Sequence, residues 1–295
     1  MPTQSPATLA DYARPGRMTS AGAYAPLLER LPDGVAGLAA VEHGLLIHEH
    51  IAHRYGVTLT DADRDTVHLR PVEQLLARIV ERDDRPLGAP RPPERRVAAN
   101  CRHFTVLLVT ALRLRGIPAR ARCGFGAYFA AGLYEDHWVA ECWDARRGRW
   151  VLVDAQLDEP QRELFGIDFD VTDVPRDRFV VAGDAWLRCR AGEADPDTFG
   201  LSIIPEAGMW WVAANLMRDA AALVGLELLP WDVWGVMPGP AETIDDARTA
   251  LFDELARLTL DPDAHADELR RLMADDRLRV PARVRNALRD RDEPV

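Results

Sequence analysis

The sequence is most constrained by an apolar run, residues 104–114, that follows Asn100 and Cys101. The run does not alternate polar and apolar residues, which is typical of a buried helix rather than a half-exposed strand. Asn100 is a favourable residue for a helix N-cap, and Gly116 and Pro118 stop a helix. The pattern therefore predicts a buried helix with Cys101 in its first turn.

A cysteine in a first helical turn is chemically activated. A free thiol has a pKa of about 8.5, and only its thiolate is a nucleophile. Unpaired N–H groups and the helix dipole stabilise an anion at this position. The other cysteines, Cys123, Cys142 and Cys189, form no C-x-x-C motif and are expected to be buried apolar side chains. Cys101 is therefore the candidate nucleophile.

The candidate base and its partner carboxylate come from two predicted strands, 136–143 and 149–154. His137 lies near the start of the first strand, and Asp154 lies at the end of the second. His103 is closer to Cys101 in sequence, but a separation of two residues puts side chains on different faces of a helix. We therefore expect His137, not His103, to serve the cysteine.

The length of the hairpin loop decides whether the carboxylate reaches the imidazole. A four-residue loop, 145–148, puts Asp154 opposite Val139 and diagonal to His137 on the same sheet face. A two-residue loop puts Asp154 directly opposite His137. A three-residue loop without a bulge turns Asp154 to the other face.

Three separated blocks resemble the core of the transglutaminase-like superfamily. The blocks are Gly116-Ile117-Pro118-Ala119-Arg120 leading to Gly124-Phe125, then His137-Trp138-Val139-x-Glu141, then Trp150-Val151-x-x-Asp154. The resemblance implies an α+β fold with a papain-like core, in which the cysteine helix packs on an antiparallel sheet. It also implies a catalytic triad of Cys101, His137 and Asp154.

A proline-rich segment helps to divide the chain into three predicted regions. Residues 85–93 contain too many prolines for regular structure. We predict a helical N-terminal region at 1–93, the catalytic core at 94–175, and a helical C-terminal region at 176–295 that packs on the core. Apolar spacing predicts further helices at 21–31, 33–55, 72–81, 176–190, 206–224, 243–258, 262–273 and 281–289.

Composition excludes several classes of function. The net charge of −11 argues against a nucleic-acid partner. All 36 basic residues are arginine, which excludes a Schiff-base lysine and a phosphate-loop lysine. No run is long enough for a membrane helix and the first residues lack a signal-peptide pattern, so we expect a cytoplasmic protein that does not contact a membrane.

Four histidines, at positions 43, 48, 50 and 53, suggest a metal site, but the pattern argues against one. His48-Glu49-His50-Ile51-Ala52-His53 misses the H-E-x-x-H motif because Ala52 stands where the second histidine is needed. We predict no metal and no cofactor.

The predicted function is acyl chemistry through a thioester at Cys101. The substrate would be an amide or ester in a peptide, a protein or a small molecule, and either water or an amine would resolve the thioester. The sequence leaves hydrolysis and transfer open, and it does not fix the oligomeric state. The alternative is a catalytically silent member of the superfamily that acts as an interaction module.

Overall fold

A computed structural model describes residues 6–240 and 242–295. Residues 1–5 of the predicted N-terminal region lie outside the described residues. Helices and strands are mixed, and the predicted α+β class is confirmed. The helices are α1 Pro6–Tyr12, α2 Ala25–Leu28, α3 Val35–His43, α4 Asp61–Asp65, α5 Val72–Arg82, α6 Cys101–Arg113, α7 Glu159–Phe165, α8 Ala182–Ala191, α9 Met209–Leu223, α10 Asp246–Leu260 and α11 Ala266–Leu272. The strands are β1 Leu46–His48, β2 Val97–Ala99, β3 Ala119–Gly126, β4 Tyr134–Asp144, β5 Arg149–Val153, β6 Phe179–Val181, β7 Phe199–Leu201, β8 Glu206–Ala207, β9 Asp232–Val233, β10 Arg283–Asn286 and β11 Arg291–Pro294.

The chain divides into two compact units. The cysteine unit comprises Leu9–Ala121 and Val139–Val174. The histidine unit comprises Arg122–Trp138 and Pro175–Val295, with the described residues 6–8. The region boundaries drawn from the prolines remain predictions.

The cysteine unit is built around α6, the predicted cysteine helix. Every residue of α6 is buried, which explains why its sequence lacks the polar face of a surface helix. Helices α3 and α5 pack against it. The apolar core of this unit includes Leu38, Leu76, Phe104, Leu108 and Val153. The helix that carries the candidate nucleophile therefore contributes to the apolar core of this unit.

The β4–β5 hairpin has the register predicted for a four-residue loop. Asp144 pairs with Arg149, and the ladder continues to the pair Ala140 and Val153. Gly148 closes the loop with a φ of 62°, a left-handed conformation that glycine adopts without strain. The register prediction is confirmed, and Asp154 follows directly after the last paired residue of β5.

Two residues of the recognised motif are structural. Arg120 and Glu141 form a buried ion pair, with the Arg120 Nε donating to Glu141 Oε2 over 2.6 Å. The guanidinium also lies 4.0 Å from the ring centroid of Trp150 and 5.0 Å from that of Tyr12. Both charges are compensated, so these side chains join β3, β4 and β5.

The histidine unit combines strands with packed helices. The end of β3 pairs antiparallel with β6, and the start of β4 pairs parallel with β7. Helices α8, α9 and α10 pack against one another. Within this unit Arg122 and Asp219 form a buried ion pair with a shortest N···O distance of 2.8 Å, which fastens β3 to α9.

Three predicted helices are wrong in part or whole. The helix predicted at 176–190 begins only at Ala182, because Phe179–Val181 pairs as strand β6 with β3. The helix predicted at 33–55 ends at His43, because Gly44 follows and the segment Leu46–His48 pairs as a strand with Val97–Ala99. The helix predicted at 281–289 is strand β10, in which buried and exposed residues alternate with period two. In the described parts of the chain, no helix has both the length and the apolar character needed to cross a bilayer.

Candidate active site

Cys101 is the first residue of α6, as the sequence predicts. Asn100 is extended, with φ −123° and ψ 178°, and the helix begins at the next residue. The Cys101 side chain is buried, with 8 % of the residue exposed. Because first-turn N–H groups have no acceptor within the helix, the position favours an anion.

The start of α6 is closed by a contact between Asn100 and His103. The Asn100 backbone N–H donates to Nδ1 of His103 over 3.3 Å, and the Asn100 amide lies 2.8 Å from the same nitrogen. Nε2 of His103 donates to the carbonyl of Leu69 over 3.0 Å. Burial, with help from Arg102, holds the pKa of His103 well below its usual value. Both nitrogens of a neutral ring are thus engaged in the cap, consistent with the expectation that His103 does not serve Cys101.

Asp154 is fixed by the backbone around it. Its own N–H donates to the carbonyl of Val171 over 2.8 Å, and its Oδ1 accepts from the Gln156 N–H over 3.1 Å. The residue is 1 % exposed. A carboxylate held in this way has few rotamers available, which suits an orienting role.

His137 lies on β4 in an aromatic environment within the histidine unit. Its ring centroid is 4.8 Å from that of Phe129, 6.0 Å from that of Tyr128 and 6.3 Å from that of Phe179, all edge-on. The residue is 2 % exposed. Aromatic walls of this kind limit the rotation of the imidazole and keep water away from it.

Cys101 and Asp154 belong to the cysteine unit, and His137 belongs to the histidine unit. The roles of the three residues as a triad stay a prediction.

Sequence reasoning missed the segment that runs beside the nucleophile. Strand β1 is parallel to β2, with His48 paired to Ala99, and the Glu49 N–H donates to the Ala99 carbonyl over 2.9 Å. This ladder places Glu49 next to Asn100. The sequence signal that could have indicated strand β1 was Gly44 followed by a short apolar run. Such a run is as typical of a strand as of a helix.

The family comparison covers the same part of the chain. Residues 77–155 match the sequence pattern of the Transglutaminase-like superfamily, and all three candidate residues lie inside that range. This segment is a transglutaminase-like core. The resemblance read from the sequence is confirmed over these residues.

Among solved structures, a candidate cysteine protease from Cytophaga hutchinsonii is similar at 15 % identity, with a TM-score of 0.32. The match covers 62 % of this chain and 52 % of that protein, so the chain spans about half of that protein's length. None of the curated proteins matches the chain.

A polar network extends from the Asp154 loop of the transglutaminase-like core to the surface. Nε2 of Gln156 donates to the Gln161 side chain over 3.0 Å, and Nε2 of Gln161 lies 3.2 Å from the Tyr55 hydroxyl. That hydroxyl donates to Asp158, with both carboxylate oxygens within 2.8 Å. A cavity of about 480 Å³ lies at the outer end of the network, lined by Ile51, Arg54, Tyr55, Pro160, Gln161, Glu163 and Leu164.

His43 supports the same loop of the transglutaminase-like core from the other side. Its Nε2 lies 2.8 Å from the carbonyl of Ala155, the residue after Asp154. Burial lowers the pKa of His43, although Asp158 and Asp154 oppose that effect. A neutral His43 can therefore donate to the carbonyl and hold the Asp154 loop in place.

The four histidines at positions 43, 48, 50 and 53 lie in different local elements. His43 lies in α3, His48 in β1, His50 in the turn after β1, and His53 in a short 3₁₀ helix at Ala52–Tyr55. Across residues 6–240 and 242–295, no group of three or more His, Cys, Asp or Glu side chains is arranged to hold a metal ion.

Proposed function

We propose that the chain is a cysteine enzyme that cleaves an amide or ester through a thioester on Cys101, with His137 as base and Asp154 as its partner. The observation that carries the proposal is the position of Cys101 at the first residue of a buried helix within a transglutaminase-like core. A helix start is where a cysteine gains thiolate character without a metal.

The register of the β4–β5 hairpin supports the second half of the triad. Continued by one residue beyond the last pair, Ala140 with Val153, the ladder sets Asp154 opposite Val139. His137 lies two residues before Val139 on β4, so the side chains of His137 and Val139 project from the same face of that strand. A diagonal pair on one face is within reach of an imidazole and a carboxylate.

Each proton that moves in the proposed reaction has a named donor and acceptor. His137 takes the thiol proton, the Cys101 sulfur bonds to the carbonyl carbon, and the oxyanion is stabilised by first-turn N–H groups, including that of Cys101. The protonated His137 then gives its proton to the departing amine or alcohol, which leaves a thioester. Water or an amine attacks the thioester, His137 takes its proton, and the Cys101 sulfur leaves.

The test is alkylation of the intact protein by iodoacetamide from pH 5 to pH 9, with each cysteine followed by peptide mass. Burial raises the pKa of Cys142 to about 12 and that of Cys189 to about 11, so these two thiols serve as internal controls. We expect Cys101 to be labelled below pH 7 and at least tenfold faster than either control. A His137→Ala variant should slow the labelling of Cys101 alone.

Equal and slow labelling of all the cysteines would contradict the proposal and favour a catalytically silent interaction module. A second readout is the acyl-enzyme itself: p-nitrophenyl acetate should transfer an acetyl group to Cys101 and to no other cysteine. Failure to detect that mass on Cys101 at any pH would also count against the enzyme.

A further inference from the structure

The cavity of about 480 Å³ lies within the cysteine unit and is formed by Ile51, the 3₁₀ helix Ala52–Tyr55 and α7. Pockets that bind small organic molecules commonly have volumes of about 300–1,000 Å³. They are mostly apolar and contain a few polar groups that orient the ligand. The cavity therefore has the size of a small-molecule site, and its lining indicates which ligand fits.

The polar groups on the floor of the cavity already have partners. The Tyr55 hydroxyl donates to Asp158 Oδ1 over 2.7 Å, and Gln161 Nε2 donates to the Gln156 carbonyl over 3.0 Å. Gln161 Oε1 accepts from the Gln156 side chain over 3.0 Å. Gln161 is 3 % exposed, so this layer is fixed by the fold. These groups give the cavity its shape but have little hydrogen-bonding capacity left for a ligand.

The walls of the cavity are apolar. Ile51, Pro160 and Leu164 contribute aliphatic side chains, and Leu164 is 38 % exposed. Removing apolar surface from water favours binding roughly in proportion to the area covered. The walls therefore favour a ligand with an apolar body.

Two exposed side chains of opposite charge, Arg54 and Glu163, also line the cavity. Across residues 6–240 and 242–295, neither side chain makes a hydrogen bond or an ion pair. Elsewhere in this unit the exposed Arg78 pairs with Glu81 over 2.9 Å. The Arg54 guanidinium and the Glu163 carboxylate are both available to a ligand, and a ligand that carries a carboxylate and an ammonium group satisfies both.

We propose that this cavity binds a zwitterion with an apolar side chain, either a free α-amino acid such as leucine or a short apolar peptide with free termini. Arg54 pairs with the ligand carboxylate, because the planar guanidinium matches a carboxylate in geometry. Glu163 pairs with the ammonium group, and Leu164 covers the apolar side chain. Binding requires no reaction at Cys101, so the inference goes beyond the proposed function and does not rest on it.

A ligand in this cavity also acts on the Asp154 loop. Gln161 lines the cavity and bonds to Gln156, whose N–H donates to Asp154 Oδ1 over 3.1 Å. A molecule that binds only the folded state makes opening of the segments it contacts less frequent. Amide hydrogen exchange in residues 154–164 should therefore slow when the cavity is occupied.

The experiment is calorimetric titration of the intact protein with four probes: L-leucine, leucyl-leucine, N-acetyl-L-leucine, which lacks the cation, and L-leucinamide, which lacks the anion. Leucine or leucyl-leucine should bind saturably, and the tighter of the two identifies the free amino acid or the peptide as the ligand. Each blocked derivative should bind at least about tenfold more weakly, the loss expected for one charge-assisted hydrogen bond.

The variants assign each charge to its partner. Arg54→Gln should weaken binding of the zwitterion by about tenfold or more and leave the weak binding of leucinamide unchanged. Glu163→Gln should weaken the zwitterion similarly and should not weaken N-acetyl-leucine. The matched controls are Arg162→Gln and Glu159→Gln, which remove the same charges from exposed positions of α7 that do not line the cavity. Both controls should keep Kd within about twofold of the wild type.

Three results would overturn the inference. They are no binding of either zwitterion at millimolar concentration, equal affinity for free and blocked forms, and an equal loss in the variants and their controls. Binding without slower hydrogen exchange in residues 154–164 would place the ligand elsewhere and would also overturn it. Alkylation of Cys101 is measured separately, so failure of this inference is distinguishable from failure of the proposed function.

Discussion

Glu42, near the end of α3, is a buried acid whose protonation should control the pH dependence of stability. The residue is 2 % exposed, and neither carboxylate oxygen has a hydrogen-bond partner among the described residues. Burial raises the pKa of Glu42 well above its ordinary value of 4.5. The folded protein therefore keeps the proton on Glu42 at pH values where the unfolded chain has released it.

The sign of the effect follows from which state binds more protons. Above pH 4.5 the folded state holds a proton that the unfolded state has lost, so the free energy of unfolding decreases as pH rises. Each pH unit costs about 1.36 kcal/mol until the pKa of the folded state is reached. At pH 7 the loss from Glu42 is therefore at most about 3.4 kcal/mol. Glu42→Gln has nearly the same shape and cannot ionise, so it removes this pH dependence.

The assay is thermal or urea unfolding of the wild type and Glu42→Gln between pH 5 and pH 8. The two proteins should have similar stability at pH 5, because a protonated acid and an amide bury similar unpartnered polar groups. By pH 7 the variant should be more stable by up to about 3 kcal/mol, which corresponds to several degrees in Tm. Parallel stability curves over the whole range would refute the reasoning.

Two further perturbations test the histidine unit. Asp219→Asn leaves the buried Arg122 charge uncompensated and should cost about 3–5 kcal/mol in urea unfolding; Asp267→Asn, in an exposed ion pair, should change stability by less than about 1 kcal/mol. Gly124→Ala places a methyl group 2.2 Å from a backbone oxygen of β6 and should cost about 1–3 kcal/mol, whereas Gly239→Ala meets no atom within 4 Å. A similar Tm for the two glycine variants would contradict the close approach of β3 and β6.

Local features of the sequence were sufficient where short-range physics decides the structure. The helix from Cys101 follows from an N-cap, an apolar run and a glycine stop, all within about twenty residues. The register of β4 and β5 follows from one loop, whose Gly148 adopts the left-handed conformation that its position suggests. The three candidate site residues could be proposed from the sequence because their motif lies within these local elements.

Sequence-based prediction failed for segments whose secondary structure depends on pairing with a strand far away in the sequence. The segment Leu46–His48 has enough apolar residues for a helix, and only the strand Val97–Ala99, about fifty residues later, makes it a strand. The position of Glu49 beside Asn100 depends on that pairing and was invisible in the sequence. The same holds for Phe179–Val181, which lies within a predicted helix and pairs instead with β3.

The cap of α6 has an electrostatic consequence for the sulfur. A glutamate at the third helical position commonly completes such a cap, and it would bring a full negative charge to within one turn of Cys101. Here a neutral imidazole, that of His103, accepts the same backbone proton. The cap of α6 therefore does not cancel the positive potential at the helix N-terminus. That potential can stabilise an anion that forms at residue 101.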